Sequence, residues 1–311
     1  MALNITSGKI HRAQKIVIYG SEGIGKTTFA AGFPNPLFID TEGGTAHMDV
    51  NRLEKPDTWD GLVALVEEVS RNPGICGSLV IDTADWAEQV CMKDLCARYK
   101  KSGIEEFGYG KGYTYVSEDF AKLLTACNHV IAAGMNVVIT AHAKMRKFEQ
   151  PDEMGTYDRW EMKLTKQVAP LLKEWADMLL FCNYKTFVVN QDEGKSKVQG
   201  GKRVVYTSHH PCWDAKNRHG LPEEMELSFD SIRHIFNATP AADRKPDTED
   251  PHAKLNRMMS DALMSDDELQ RLVSAKGHYP LDTPISDYAD SFLTRWVFPN
   301  WDKIVTTIKN M

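Results

Sequence analysis

A glycine-rich stretch near the start of the chain constrains the fold more than any other feature. Residues 20 to 27 read Gly-Ser-Glu-Gly-Ile-Gly-Lys-Thr, which matches the phosphate-binding pattern G-x-x-x-x-G-K-[ST]. The apolar run 15–19 before it predicts a strand, and helix formers follow in 26–31. A loop between strand and helix turns successive backbone N–H groups onto a phosphate chain, and the helix N-terminus adds partial positive charge. The pattern therefore predicts an α/β protein that binds a nucleoside triphosphate.

The loop also contains the predicted ligands of the nucleotide and its metal. Lys26 would reach the β- and γ-phosphates, and the Thr27 hydroxyl would be a ligand of Mg²⁺. ATP and Mg²⁺ are thus the predicted cofactors. The residues expected to contact the nucleotide are consecutive: Gly20, Ser21, Glu22, Gly23, Ile24, Gly25, Lys26, Thr27 and Thr28.

The other catalytic groups are predicted at the ends of two later apolar runs. Leu79-Val-Ile-Asp82 ends in an aspartate that can hold Mg²⁺ through water. The next residue is Thr83, where many P-loop ATPases have a catalytic glutamate. We therefore predict Glu42, just after the run 36–40, as the general base, because ligands of open α/β sheets bind at the carboxyl ends of the strands. An N-cap or solvated carboxylate is the alternative for Glu42.

Hydrophobic patterning predicts the fold class and the domains. Apolar runs at 36–40, 78–82 and 136–140 alternate with helical spacing up to about residue 190, which indicates a mostly parallel twisted sheet flanked by helices. Hairpins with a glycine-rich turn at 194–201 follow. Residues 239–252 contain three prolines and many charges and are predicted as a linker. We expect a core at 1–238 and a small, mostly helical domain at 253–311.

Composition excludes several classes of protein. No run approaches the 18 apolar residues of a membrane span, and the N-terminus lacks the apolar stretch of a secretion signal. The six cysteines form no Cys-x-x-Cys pair, which favours reduced thiols in a cytoplasm. A net charge of −6 gives no global attraction to nucleic acid, so any such partner needs a local basic patch.

Together these motifs resemble the RecA-like ATPases. That family has a P-loop with a second threonine, a glutamate in a Phe-Ile-Asp-x-Glu segment (38–42) and a metal aspartate without an adjoining glutamate. Over residues 10–235 the chain is more narrowly similar to phage RecA-type ATPases of recombination and single-strand annealing. Motifs typical of that group stand at several places: Val-Ile-Thr-Ala-His (138–142), Tyr-Asp-Arg-Trp (157–160), Trp-Ala-Asp (175–177) and His-Pro-x-Trp-Asp-Ala-Lys-Asn-Arg (210–218).

The resemblance implies roles for three further residues. His142 stands where RecA has a glutamine that senses the γ-phosphate; a strand-end histidine bonded to a backbone carbonyl is the alternative. Lys216 and Arg218 resemble the Lys-x-Arg element that hexameric helicases project into a neighbour's nucleotide site, where a cation accelerates hydrolysis. An exposed polar turn is the alternative for this pair.

Two basic segments are predicted to bind DNA, at the points of the chain where RecA has its DNA-binding loops. One spans 98–115 and the other is Lys144-Met-Arg-Lys-Phe148. Basic side chains would neutralise phosphates and aromatic rings would stack on unpaired bases. Ordinary basic surface loops, or a lid over the nucleotide, are the alternatives. The candidate residues are Lys100, Lys101, Tyr109, Lys111, Tyr113, Lys144, Arg146, Lys147 and Phe148.

The sequence thus predicts a DNA-stimulated ATPase of phage recombination that binds single-stranded DNA and assembles as a ring or filament. The resemblance further implies contact with a single-stranded-DNA-binding protein and a location in the host cytoplasm. Three alternatives remain open. One is a helicase or helicase loader of the same superfamily, for which the chain has little room. Another is a small-molecule phosphotransferase, for which no acceptor motif is evident. The third is a nucleotide-gated binding scaffold with negligible turnover, which applies if Glu42 is not the base.

Overall fold

The computed structural model describes residue 8 and residues 12–149, 155–191, 195–236, 251–262 and 264–309. The chain divides into two compact units, Met1–Asp243 and Arg244–Met311. Most of the predicted linker, 239–250, lies outside the described residues, and its last two residues begin a helix. The domain boundaries therefore stay a prediction.

The first unit alternates strands and helices over most of its length. Its strands are β1 (Lys15–Gly20), β2 (Pro36–Asp40), β3 (Asn51–Arg52), β4 (Ser78–Asp82), β5 (Asn136–Glu149), β6 (Thr156–Met162), β7 (Met178–Gln191), β8 (Lys195–Tyr206) and β9 (Glu224–Glu226). Its helices are α1 (Lys26–Ala31), α2 (Trp59–Arg71), α3 (Ala84–Arg98), α4 (Lys111–Ala132), α5 (Val168–Trp175) and α6 (Arg233–Phe236).

Eight of the described strands form one path, in the order β3-β2-β4-β5-β1-β7-β8-β9, and β6 pairs with the far half of β5. The pairs from β3 to β7 are parallel, whereas β7–β8, β8–β9 and β5–β6 are antiparallel. The predicted α/β class with a mostly parallel sheet and a later antiparallel region is confirmed. Parallel pairing places the ends of β1, β2, β4 and the first half of β5 at one edge of the sheet.

Both faces of the sheet are covered at β1, β2, β4 and the first half of β5, which explains why these strands are continuous apolar runs. Side chains alternate along each strand. In β1, Val17 and Tyr19 pack into the larger core with α2 to α5, while Ile16 and Ile18 pack into a second core with α1 and α6. The second core includes a group of phenylalanine rings in mutual contact, Phe29, Phe33, Phe229 and Phe236.

Two predicted segments differ from the structure. Of the glycine-rich turn predicted at 194–201, residues 195–201 belong instead to β8, which pairs antiparallel with β7 from Lys195 opposite Gln191, and residue 194 lies outside the described residues. Lys185 pairs with Lys202 and Thr186 pairs with Gly200, so Gly201 is the extra residue of a β-bulge, a position where glycine is common in strands. The other difference is β5, which continues to Glu149 although its predicted apolar run ends at Thr140.

The second unit is helical, as predicted. Its helices are α7 (Pro251–Ala262), α8 (Asp266–Ala275), α9 (Asp290–Phe292) and α10 (Trp301–Lys309). The Glu268 carboxylate accepts a hydrogen bond from the Ser265 backbone N–H at 2.8 Å, which caps the start of α8. The unit has its own core, which includes Leu255, Leu269 and Tyr288. No helix in the described part of the chain could cross a bilayer.

Candidate active site

The glycine-rich loop lies between β1 and α1, at the carboxyl edge of the sheet. Gly23 and Gly25 adopt φ of 70° and 110°, the left-handed region that glycine enters without strain. Gly20 has a different reason to be glycine, because a Cβ there would lie 2.3 Å from the Cys182 carbonyl oxygen of β7. These positions explain the glycine spacing that made the motif recognisable in the sequence.

The Lys26 ammonium lies inside the loop. Its side chain is buried, and Nζ donates to the carbonyl oxygens of Ser21 and Gly20 at 3.0 and 3.3 Å. Burial lowers the pKa of Lys26, while the nearby Asp82 carboxylate acts against this shift. The Ser21 hydroxyl is buried and has no hydrogen-bond partner among the described residues. An orphaned hydroxyl beside a buried ammonium fits an anionic ligand such as a phosphate.

Asp82 links the loop to the end of β4. Its Oδ2 accepts from the Thr27 hydroxyl at 2.7 Å, and its Oδ1 accepts from the Thr140 hydroxyl of β5. Mg²⁺ is typically held by one or two protein oxygens and completes its shell with phosphates and water. No group of three or more metal-binding acids, histidines or cysteines occurs in the described residues. Thr27 and Asp82 therefore fit a nucleotide-bound Mg²⁺ rather than an all-protein metal site.

Glu42 stands on a turn that Asp40 organises. The Oδ1 of Asp40 accepts from the backbone N–H groups of Glu42 (3.1 Å) and Gly43 (2.6 Å), and its Oδ2 accepts from the backbone and hydroxyl of Thr45. Burial alone would raise the pKa of Asp40, but the hydrogen bonds from Thr45, Gly43 and Glu42 hold it below its usual value. The Glu42 side chain itself remains 34% exposed.

His142 is the last buried residue of β5. Its Nε2 lies 4.0 Å from Oε2 of Glu42, so the structure brings the predicted sensor and the predicted base together. Asp85 holds the histidine from the other side, at 2.8 Å from Nδ1, and also accepts from the His142 backbone N–H at 2.9 Å. Burial opposes ionisation of Asp85, but its hydrogen bonds to His142 lower its pKa. The alternative for His142 was a ring bonded to a backbone carbonyl, but here the ring pairs with the Asp85 carboxylate.

Three residues of this site were missed by sequence reasoning. Asp40 ends β2 and Asp85 lies in the first turn of α3, and aspartates are too common at strand ends and helix starts to be singled out. The third, Arg203 on β8, lies with Nη1 at 3.5 Å from the Ile24 carbonyl oxygen of the glycine-rich loop. Ile24 and Arg203 are 179 residues apart in the sequence, so no local pattern predicts their contact.

Lys216 and Arg218 lie away from this site. The Lys216 backbone pairs with Leu179 near the start of β7, and its Nζ donates to the Lys173 carbonyl at 2.7 Å. Arg218 forms an ion pair with Asp177 at 3.1 Å. Because β7 runs parallel to β1, its start is at the edge of the sheet opposite the glycine-rich loop. From this edge, Lys216 and Arg218 cannot contact a nucleotide bound at the glycine-rich loop of the same chain. Their role in a neighbour's site stays a prediction.

The first predicted DNA loop, 98–115, is more ordered than predicted. A 3₁₀ helix occupies Ile104–Phe107, and Lys111 and Tyr113 belong to the start of α4. The Tyr113 hydroxyl donates to Glu105 at 2.5 Å. Lys100, Lys101 and Tyr109 lie outside the helices and are exposed.

The second predicted loop is a strand. Residues 143–149 of β5 pair with 156–162 of β6, and we call this hairpin the β5–β6 arm. Side chains on a strand alternate between faces, so Lys147 points away from the face that carries Lys144, Arg146 and Phe148. The Phe148 ring already packs against Tyr157, and Nζ of Lys144 donates to the Leu164 carbonyl at 2.8 Å. An apolar run indicates a buried strand, so its absence at 144–148 led to the prediction of a loop. This part of β5 is exposed and needs no apolar run.

A match to a family model shows which protein family the chain belongs to. A family model described as an AAA domain, AAA_24, matches residues 12–219, which include all the strands and loops of the site. The chain belongs to the AAA_24 family. It is accordingly a P-loop ATPase by family, and the glycine-rich loop, Asp82 and Glu42 all lie within the matched region.

Individual relatives of this AAA_24 protein are distant. It is 26% identical over 137 residues to an uncharacterized SPbeta prophage-derived protein, YorG, of Bacillus subtilis strain 168, and the match spans 41% of this chain and 40% of that relative. A KaiC-like protein from Pyrococcus horikoshii OT3 matches 63% of this chain and 79% of its own at 14% identity, with a TM-score of 0.33. The flagellar accessory protein FlaH from Methanocaldococcus jannaschii matches 67% and 89%, also at 14% identity and 0.33. Scores this low support no conclusion about fold or function.

Proposed function

We propose that this protein binds Mg·ATP at the carboxyl edge of its sheet and hydrolyses it, and that it couples hydrolysis to single-stranded DNA in an oligomer. One observation supports the hydrolytic part most directly. Four parallel strand ends bring a buried lysine, a Thr27–Asp82 pair and a Glu42–His142 pair to the same edge. This is the set of groups that phosphoryl transfer to water requires.

Each of these groups has a distinct chemical task. The glycine-rich loop and Lys26 bind the phosphates, and the Ser21 hydroxyl supplies a further donor. Glu42 accepts a proton from a water molecule, whose oxygen forms a bond to the γ-phosphorus while the bond to the β,γ-bridging oxygen breaks. ADP and inorganic phosphate are the products. Asp85 orients His142, whose Nε2 faces Glu42 and can respond to the γ-phosphate.

Thr27 and Asp82 would hold the magnesium ion. When bound, Mg²⁺ offsets phosphate charge and polarises the phosphate oxygens. Thr140 fixes the second oxygen of Asp82, so the carboxylate is already oriented. Such orientation by a neighbouring donor favours metal binding, because the ligand loses little freedom when the ion arrives.

The DNA part of the proposal is supported by position and by phage context. The segment 98–115 and the β5–β6 arm carry exposed lysines, arginines and aromatic rings, and the arm continues directly from the strand that carries His142. A relative of prophage origin is consistent with a phage recombination role. Acidic residues near both segments, such as Glu105 and Glu161, would limit the strength of binding.

One experiment tests the proposal as a whole. ATP hydrolysis by the full chain is measured with and without single-stranded DNA, and the mass of the assembly is measured in the same buffers. We expect magnesium-dependent release of phosphate that DNA accelerates, from a species larger than one chain. Phosphate transfer to an added small-molecule acceptor instead of water would favour the phosphotransferase alternative.

The assembly can be tested through Arg218, whose side chain is largely exposed apart from its contact with Asp177. If Arg218 completes a neighbour's site, Arg218→Ala binds ATP normally but loses about 10³-fold or more in turnover. Mixing Arg218→Ala with Glu42→Gln protein should recover activity, because some interfaces then combine an intact base with an intact arginine. Full wild-type activity in a strictly monomeric preparation would contradict the trans role.

A further inference from the structure

A cavity of about 560 Å³ lies between the first turns of α3 and the turn that follows β6. Its walls include Asp85, Trp86, Glu88, Gln89, Lys144 and Lys163. This volume is in the range of small-molecule and cofactor sites. The cavity is separate from the glycine-rich loop, but it shares Asp85 with the site described above.

The buried acids of the cavity are engaged by the protein itself. Glu88 is 2% exposed, and its carboxylate accepts from the Thr165 backbone N–H at 3.1 Å and from the Thr165 hydroxyl at 2.6 Å. The two oxygens of Asp85 accept from His142. These contacts fix the back wall, so the groups that face a ligand are the more exposed ones.

The exposed groups have complementary chemistry. The Trp86 side chain is 45% exposed although tryptophan is usually mostly buried. Gln89 lies one helical turn further along α3, on the same face, and is also exposed. Lys163 contributes an exposed ammonium from the opposite wall. An aromatic face, an amide and a cation around one nucleotide-sized space match a base and its phosphate.

We propose that this cavity binds one unpaired nucleotide of single-stranded DNA, with the base stacked on Trp86 and the phosphate at Lys163. The inference rests on the proposed action on single-stranded DNA and assigns a position to it. The position is also close to the active site. Asp85 lines the cavity and holds His142, whose Nε2 is 4.0 Å from Glu42, so only two side chains separate the cavity from the catalytic carboxylate.

Photo-cross-linking tests the location. The full chain is irradiated with a short oligodeoxynucleotide that contains 5-iodouracil, and the modified peptide is identified by mass spectrometry. The expected adduct is on Trp86. Adducts confined to the β5–β6 arm or to 98–115 would overturn the assignment while leaving DNA binding intact.

Affinity measurements test the contribution of the side chains. Trp86→Ala should weaken binding of the same oligonucleotide about tenfold, whereas Trp86→Phe should retain most of the affinity, because stacking survives. Lys163→Ala should weaken binding and flatten its salt dependence, and Lys93→Ala, an exposed lysine further along α3, should change neither. Circular dichroism checks that each variant is folded. If Trp86→Ala does not fold, the affinities of Gln89→Ala and Lys163→Ala for the oligonucleotide are compared with wild type instead.

The outcomes separate this inference from the proposed function. Wild-type protein that binds no single-stranded DNA would overturn both. Wild-type binding with unchanged affinity in Trp86→Ala and Lys163→Ala would overturn only the cavity assignment. A loss of assembly mass in Trp86→Ala with unchanged DNA affinity would show that the cavity receives a neighbouring subunit instead.

Discussion

The carboxyl edge of the parallel sheet and the β5–β6 arm present their candidate residues in opposite ways. At the sheet edge, Lys26, Asp82 and His142 are buried and each makes hydrogen bonds to the protein. On the arm, Arg146 and Lys147 are exposed, and Arg146 forms a surface ion pair with Glu161. Side chains held in place before a ligand arrives act as a unit, whereas exposed ones contribute separately.

This contrast predicts how large the effect of a substitution is in each of the two regions. At the sheet edge a single change should abolish a chemical step, because no other group can take the place of the one removed. On the arm each change should subtract a modest, salt-dependent amount from binding. One strand, β5, contributes to both regions, so the difference arises from burial and not from position in the chain.

The largest effect is expected for Lys26→Ala. Within the glycine-rich loop this lysine is the sole cationic side chain, and its ammonium is already buried beside Ser21. We expect no detectable ATP hydrolysis and greatly weakened nucleotide binding, measured by phosphate release and by titration with a fluorescent ATP analogue. Lys93→Ala is the control and should behave as wild type. Appreciable turnover in Lys26→Ala would mean that the nucleotide binds elsewhere.

The next effect is expected for Glu42→Gln. The amide keeps the shape of the side chain but cannot take a proton from water, so turnover should fall by about 10²–10⁴-fold. ATP affinity should stay within a few-fold of wild type, because the phosphates are bound by the loop. Glu54→Gln, a nearby exposed acid, is the matched control. Hydrolysis at the wild-type rate in Glu42→Gln would show that Glu42 is not the base.

The sheet edge was largely predictable from sequence, because its main features are local. The glycine-rich loop, the run ending at Asp82 and the run before Glu42 each need only a few consecutive residues. The arrangement around them was not predictable. Asp85 and His142 are 57 residues apart, and Arg203 reaches the loop from β8. Such contacts follow from strand order, which no single motif encodes.

Asp40 tests whether the turn that carries Glu42 is as rigid as the contacts suggest. In Asp40→Asn, the amide group cannot accept all four hydrogen bonds, so unfolding should cost about 1–3 kcal/mol less. Urea denaturation at neutral pH measures this difference, with Asp49→Asn, an exposed aspartate on the same segment, as control. An equal free energy of unfolding in both variants would contradict a structural role for Asp40.

The pH dependence gives a second measurement on the same variant. Folding lowers the pKa of Asp40, so its contribution to stability is present above the ordinary aspartate pKa of about 4 and is lost as pH falls through the lower folded value. The stability difference between wild type and Asp40→Asn should therefore shrink on acidification below about pH 4. A difference independent of pH in that range would show that the carboxylate charge is not what stabilises the turn.

The arm was predicted less well, and the reason is physical. Lys144 to Phe148 lack an apolar run, so the sequence indicated a loop, yet an antiparallel hairpin requires only a partner strand. The consequence is specific. On a strand Arg146 and Lys147 face opposite sides, so a single DNA strand that lies along one face would contact only one of them. A mobile loop would allow both to contact the DNA.

The smallest effect, and the sharpest test of the arm, therefore comes from Arg146→Ala and Lys147→Ala made singly and together. Each phosphate contact adds about 0.7 to the slope of log affinity against log salt for single strands. If DNA binds one face, one single variant should flatten the slope by about that amount, the other should not, and the double variant should equal the active single. Affinity should fall by at most about tenfold, equally for all sequences, because phosphate contacts read no bases.

Lys93→Ala is the control, and binding is measured by fluorescence anisotropy at several salt concentrations. A slope unchanged in all three variants would make the arm a lid or an interface element, and DNA binding would then depend on the Trp86 cavity and the segment 98–115.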